Sequence, residues 1–195
     1  MPAGYTALSH VSTKDAVINC GWYPTLQTYK VKAKFRFNSL STTKYNAIFG
    51  ADNGMYFGVS TTGYWAPHVV TVPNSGSGGI SELIPISTGV WYTMEDVIER
   101  TQTSHNVYGT INGIEYTGTR KVSSSGFVWF IGDFSTNYAT HSTFDGDIAY
   151  IKVYENDVMI HNYVPARHDN AIGMYDTVAN QFFTIGNAPV YMPND

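Results

Sequence analysis

The sequence has a single cysteine, Cys20, few charged residues and no long apolar run. One cysteine excludes an intrachain disulfide and any metal site built from several cysteines. Charged residues make up 13% of the 195 residues and the formal net charge is −4, which argues against a nucleic-acid binder because such proteins need a basic surplus. No segment approaches the roughly 18 apolar residues of a membrane-spanning helix, so we expect no membrane insertion.

The N-terminal segment lacks a basic stretch followed by an apolar stretch, so no secretory signal is visible. We therefore expect that the chain acts without being secreted or that a signal was removed. Aromatic residues, at 15%, outnumber charged ones and can form a sizeable core, which excludes disorder as the main state. Because no break in composition divides the chain, we predict one domain over residues 1–195.

Period-two alternation is the dominant pattern and predicts β-strands. Tyr29–Phe37 alternates without interruption, with Lys30, Lys32, Lys34 and Arg36 on the face opposite the apolar side chains. The same reasoning predicts strands at Asn46–Phe49, Met55–Ser60, Val69–Val72, Trp91–Arg100, His105–Ile111, Ile114–Gly118, Phe127–Ile131, Asp147–Tyr154, Met159–Val164 and Phe182–Ile185.

The segments between these strands have turn chemistry. Asn112-Gly113 favours a type I′ hairpin turn, and Asp52-Asn53-Gly54 and Glu155-Asn156-Asp157 are similar. Residues 73–79 (PNSGSGG) are interpreted as a flexible loop. Many short strands without a convincing helix predict an all-β fold, either a two-sheet sandwich or a barrel.

Three parts of the chain resemble the LamG-like branch of the concanavalin A-like lectin/glucanase superfamily. The segments that carry the resemblance are Val17–Pro24, Tyr29–Phe37 with Ile48-Phe49-Gly50, and the C-terminal elements Gly146–Tyr154, Val164–Arg167, Gly173–Asp176 and Asn180–Phe183. The resemblance implies a single antiparallel jelly-roll sandwich, with a concave face of the kind often used for glycans. Such domains occur in phage structural proteins and gut-bacterial surface proteins, and fold alone does not assign their function.

The superfamily includes glucanases, whose E-x-D-x-E strand aims three carboxylates at the sugar. The nearest match here is Glu95-Asp96-Val97-Ile98-Glu99. Glu95 and Glu99 share a face with Val97 between them, whereas Asp96 faces the other way. Since an aliphatic residue stands where the central carboxylate is needed, we expect no catalytic residues and no enzyme activity.

Two further kinds of site are considered. Calcium is weakly predicted at Asp133, Asp145 and Asp147, because the related domains often bind it through loop oxygens; the alternative is an ordinary turn before a strand. No other cofactor is expected. A glycan site needs an aromatic platform with polar groups around it, and two loop clusters offer these types. The candidates are Tyr64, Trp65, His68, Asp133, Asn137 and Tyr138. For each ring the alternative is packing in the core.

The four cations at Lys30, Lys32, Lys34 and Arg36 could meet an acidic glycan, a phosphate-bearing polymer or an acidic subunit. The alternative is a solvated strand face, guarding a sheet edge against unwanted pairing. The combined expectation is a non-catalytic recognition or adhesion module that binds cell-surface carbohydrate, in a phage fibre, tail or capsid decoration or in a bacterial surface assembly. The alternative functions are a structural virion protein contacting neighbouring subunits, including copies of itself, and a glycoside hydrolase with a degenerate acid motif.

Overall fold

Sixteen β-strands and no helix make up the regular structure that the computed structural model describes, over residues 1–14, 17–22, 28–50, 56–67, 78–101, 104–121, 129–132 and 142–185. The strands are β1 Tyr5–Ala7, β2 Val11–Lys14, β3 Val17–Trp22, β4 Thr28–Ser39, β5 Tyr45–Gly50, β6 Tyr56–Val59, β7 Gly78–Ile80, β8 Trp91–Arg100, β9 Ser104–Ile111, β10 Ile114–Lys121, β11 Trp129–Gly132, β12 Ser142–Thr143, β13 Asp145–Glu155, β14 Val158–His168, β15 Ala171–Asp176 and β16 Gln181–Thr184.

These strands form two sheets, which confirms the all-β sandwich. The larger sheet has eleven strands in the order β16-β15-β14-β13-β4-β8-β9-β10-β7, with β1 against β14 and β2 against β13. The smaller sheet has five, with β12, β5, β11 and β3 in order and β6 against β5. Pairing is antiparallel except between β12 and β5. None of the described residues belongs to a helix that could span a membrane.

The central strand of the larger sheet is β4, which pairs with β13 on one side and with β8 on the other. Its apolar side chains are buried, as the alternation predicts, while its cations lie on the outer, solvent-facing side of the sheet. The alternative of a solvated strand face is therefore confirmed, but the idea that β4 is a sheet edge is wrong. The Lys and Arg side chains therefore project from the middle of a continuous sheet surface.

The core lies between the two sheets. Tyr29, Phe35 and Phe37 of β4 belong to the same buried cluster as Phe49 of the smaller sheet. A direct ring contact joins the layers, because the centroid of Phe49 lies 6.4 Å from that of Tyr163 on β14. Burying rings of this size contributes roughly 1.5–3 kcal/mol each to stability. Many of the aromatic residues are therefore explained by packing in the core.

Two predicted turns are confirmed by their backbone. Asn112 and Gly113 have φ of 48° and 80°, the two positive values that a type I′ turn requires. Asn156 and Asp157 likewise have φ of 50° and 61°. The flexible-loop interpretation of residues 73–79 is wrong for Gly78 and Gly79, which form β7 against β10. Asp52–Gly54 and the predicted strand at 69–72 lie outside the described residues.

Candidate functional site

Trp65 is a core residue, so the interpretation of its ring as an exposed glycan platform is wrong. Its relative exposure is 0%. The indole stacks on Phe35 at a centroid distance of 5.5 Å and donates its Nε1 hydrogen to the Tyr116 hydroxyl at 2.6 Å. The segment that carries it is held inward, because the Trp65 amide donates to the Ile84 carbonyl at 2.9 Å.

The other loop candidates divide into two groups. Tyr64 is half-buried, and its backbone forms an isolated bridge with Pro85. The remaining four lie outside the described residues and stay predictions: His68, Asp133, Asn137 and Tyr138. Of the predicted glycan residues, the described part of the chain thus contains only Tyr64, which is half-buried, and Trp65, which is buried.

Two of the three acidic residues predicted for calcium, Asp145 and Asp147, have partners of their own, and the third, Asp133, lies outside the described residues. The Asp147 carboxylate accepts a hydrogen bond from Ser12 Oγ at 2.5 Å and is ion-paired with Arg36. Burial alone would raise the pKa of Asp147, but these hydrogen bonds outweigh it and hold the pKa below its usual value. Asp145 accepts from Ser39 Oγ at 2.7 Å. Within the described ranges no three His, Cys, Asp or Glu side chains are grouped as metal ligands.

An open groove of about 570 Å³ lies on the outer face of the larger sheet, over β8, β9 and β10. Its polar and aromatic lining includes Glu82, Glu95, Tyr108, Thr110, Glu115 and Thr117. Glu82 follows β7, so one wall of the groove comes from the segment after this last strand of the sheet. None of these side chains was among the predicted glycan residues.

Strand register explains why these side chains meet. Glu95 on β8 is opposite Thr110 on β9, and Thr110 is opposite Glu115 on β10. In the adjacent row Tyr108 is opposite Thr117. Side chains at alternate positions share a face and neighbouring strands lie about 4.8 Å apart, so the two rows form one continuous patch.

The groove combines one exposed ring with several strong hydrogen-bond acceptors. Tyr108 is 47% exposed, a high value for an aromatic residue in mid-strand. Glu95 Oε2 accepts from Lys32 Nζ at 2.7 Å, which fixes one carboxylate at the β4 side of the groove. A half-exposed ring beside carboxylates and hydroxyls can pack on an apolar surface and bind several hydroxyl groups at once.

Directly beneath the groove, Asp96 points into the core, as the alternation predicts. Its carboxylate accepts a hydrogen bond from the Tyr116 hydroxyl at 2.5 Å, which continues the chain of contacts from Trp65. Burial raises the pKa of Asp96 to about 8, although the Tyr116 hydrogen bond opposes the rise. Gly109 makes this arrangement possible, since a Cβ there would lie 2.0 Å from Asp96 Oδ1.

A signal for the groove was present in the sequence. Because Asn112-Gly113 forms a two-residue turn, Ile111 must pair with Ile114, and the pairs formed by Thr110 and Tyr108 follow by counting back along the hairpin. The pairing of β8 with β9 could not be obtained in this way. Position in a loop predicted the site less well than strand register, because it indicated Trp65, which is buried.

Comparison with known proteins adds information on the fold. No family model matches the chain, and no curated protein matches it. The chain is similar to a crystal structure, at 1.50 Å resolution, of a protein from Bacteroides ovatus ATCC 8483 that is described only provisionally as carbohydrate binding. The TM-score is 0.60 at 12% sequence identity, and the match covers 96% of this chain. It covers 62% of the Bacteroides chain, so this protein spans less than two thirds of that length. At such identity the likeness shows the fold alone.

Proposed function

We propose that this protein is a non-catalytic carbohydrate-binding module and that the groove over β8, β9 and β10 is its binding site. The observation that carries the proposal is the half-exposed Tyr108 ring among carboxylates and hydroxyls in one groove. A sugar ring has an apolar face of C–H groups and a rim of hydroxyls. Tyr108 suits the face, whereas Glu95 and Glu115 suit the rim because ionised acceptors form the stronger hydrogen bonds.

Two other findings support the proposal. The sandwich fold is shared with a protein provisionally described as carbohydrate binding, and parts of the sequence resemble the concanavalin A-like superfamily. We propose a phage virion or a bacterial surface assembly as the setting, which is what the sequence resemblance implies. Here the groove replaces the loop residues 64–68 as the primary site.

The absence of catalysis in this proposal has a physical basis. A retaining glycosidase needs a protonated acid and an ionised nucleophile, both facing the sugar. Asp96 has the raised pKa suited to an acid, but its side chain points into the core and is fully buried. Val97, between Glu95 and Glu99 on the groove side, has no group that could act as a nucleophile.

A glycan array followed by calorimetric titration of the strongest ligands tests the site. We expect Tyr108→Ala to weaken binding by roughly tenfold or more, as for loss of one aromatic contact worth about 1–2 kcal/mol. Tyr45→Ala is the matched control, because Tyr45 is an exposed tyrosine on β5 of the other sheet. Equal losses in both variants would contradict the groove assignment.

The same experiment separates the alternatives. No binding to any glycan, together with a stable oligomer in sedimentation, would favour the structural virion protein. Calcium at Asp133, Asp145 and Asp147 stays a prediction, and titration with and without EDTA tests it. Release of reducing ends from a β-glucan, lost in Glu95→Gln, would favour the hydrolase.

A further inference from the structure

A cationic strip lies beside the groove on the same outer face of the larger sheet. It consists of five of the eleven Lys and Arg residues of a chain with net charge −4. β4 contributes four, and one comes from β13: Lys30, Lys32, Lys34, Arg36 and Lys152. The register places Lys152 opposite Lys32 and Tyr150 opposite Lys34. Positive charge is therefore concentrated on one surface of an acidic protein.

Three of these cations are neutralised by carboxylates. Lys30 Nζ lies 2.8 Å from Asp157, Lys32 is paired with Glu95, and Arg36 is paired with Asp147. The other two, Lys34 and Lys152, have no carboxylate partner within 4.0 Å in the part of the chain that the structure describes. The strip thus carries a surplus of two positive charges.

The two surplus lysines are held over aromatic rings. Lys34 Nζ lies 5.6 Å from the Trp91 ring centroid, and Lys152 Nζ lies 5.2 Å from that of Tyr150. A ring face orients an ammonium group but leaves its charge formally unneutralised. Lys152 is also directly opposite Lys32, whose ammonium group is already paired with Glu95. An anion bound at Lys152 would give this second ammonium group a partner of opposite charge.

The groove next to the strip has the opposite charge, since Glu82, Glu95 and Glu115 line it. The Lys32–Glu95 ion pair is the boundary between the two regions. Three strand spacings separate β9 in the groove from β13 in the strip, roughly 14 Å at about 4.8 Å each. A ligand that uses both regions must be longer than one sugar ring and must carry its charge at one end.

We infer that the preferred ligand is an oligosaccharide with a single carboxylate-bearing sugar, whose neutral sugars lie in the groove and whose carboxylate lies between Lys34 and Lys152. This inference rests on the proposed function and adds the substrate class. The register places the two lysines diagonally on neighbouring strands, roughly 7–8 Å apart at the backbone, so that both ammonium groups can reach one carboxylate. A densely charged polymer fits poorly, because its remaining anionic groups would meet the three glutamates.

The test uses pairs of oligosaccharides that differ in one position, a terminal hexose in one member and the corresponding hexuronic acid in the other. Heparin serves as the polyanionic probe. We expect the singly acidic member to bind about tenfold more tightly than its neutral partner, and the difference to shrink at high salt because the lysines are partly exposed. Lys34→Gln with Lys152→Gln should abolish the preference, whereas Lys34→Arg with Lys152→Arg should retain it.

Lys44→Gln is the control for loss of a lysine elsewhere, since Lys44 immediately precedes β5 of the smaller sheet. Unfolding curves confirm that each variant is folded. Equal affinity for the neutral and acidic members would overturn the inference and leave the proposed function standing. Tightest binding to heparin would also overturn it, in favour of a polyanion. Absence of binding to every probe would overturn both.

Discussion

The two faces of β8 place neighbouring acidic residues in opposite environments. Glu95 points outward, is partly exposed and pairs with Lys32. The next residue, Asp96, points inward, is fully buried and accepts from Tyr116. One step along a strand thus separates a carboxylate available to ligands from a carboxyl whose pKa is raised to about 8. The comparison teaches that the inner face contributes to stability, whereas the outer face is the one available for the proposed recognition.

Trp65→Ala is the most severe change on the inner side. The indole is fully buried, stacks on Phe35 and donates to Tyr116, so its removal leaves a large cavity and an unpaired acceptor. We expect the free energy of unfolding to fall by about 4 kcal/mol in chemical denaturation. Trp65→Phe should recover most of it by keeping the stacking contact. A stable Trp65→Ala variant that loses only glycan binding would contradict the core assignment.

Gly109→Ala tests how tightly the two faces are coupled through β9. The added methyl group would meet Asp96 Oδ1 at 2.0 Å and the Tyr116 ring at 2.9 Å. We expect a loss of about 3 kcal/mol in the free energy of unfolding. Combining it with Asp96→Ala should cost less than the sum of the two single changes, because the shortest of these contacts, with Asp96 Oδ1, disappears. Strict additivity in this double-mutant cycle would show that the contact is not the cause.

Asp96→Asn probes the raised pKa. Between the ordinary value of 3.8 and about 8 the folded chain holds one proton more than the unfolded chain. The contribution of the raised pKa to the free energy of unfolding is therefore complete below pH 4. It is lost as the pH rises to 8, by at most about 1.4 kcal/mol per pH unit. The asparagine carbonyl can still accept from Tyr116 but does not titrate. We therefore expect the free energy of unfolding of the variant to change less with pH over this range.

Denaturation curves of both proteins from pH 4 to 8 give the measurement. The lowered pKa values of Asp147 and Asp176 act in the opposite direction and at lower pH, and they cancel in the difference between the two proteins. A difference that does not change with pH would mean that Asp96 titrates normally in the folded chain.

Glu95→Gln should have the smallest effect on stability. The ion pair with Lys32 is partly exposed, and such pairs contribute up to about 1 kcal/mol. We expect a change in the free energy of unfolding below that value, together with weaker binding of neutral sugars in the groove. A large loss of stability would remove the distinction between the two faces.

The strands themselves were predictable where alternation is strong. β8 begins and ends at the predicted residues, Trp91 and Arg100, and the inward direction of Asp96 follows from the same pattern. The Asn112-Gly113 turn also determines the β9–β10 register. These features are local, so a single segment of sequence contains the information for them.

The site was not predictable to the same extent. Trp65 follows β6 in a stretch without alternation, and its inward position depends on hydrogen bonding to the distant residue Ile84. The groove depends on β8 lying beside β9, and the partners of the cations depend on β13 lying beside β4. Such long-range pairings are properties of the tertiary structure, which local patterns do not contain.

The central position of β4 has a consequence for the order of folding. Its neighbour β8 is complete at Arg100, but its other neighbour, β13, begins at Asp145. During synthesis β4 can therefore pair on one side long before its second partner exists. Until β13 is synthesised, the unpaired edge of β4, with its alternating aromatic residues, is open to any other unpaired strand. We expect slow folding, characteristic of non-local sheets, with the amide protons of β4 among the last to be protected.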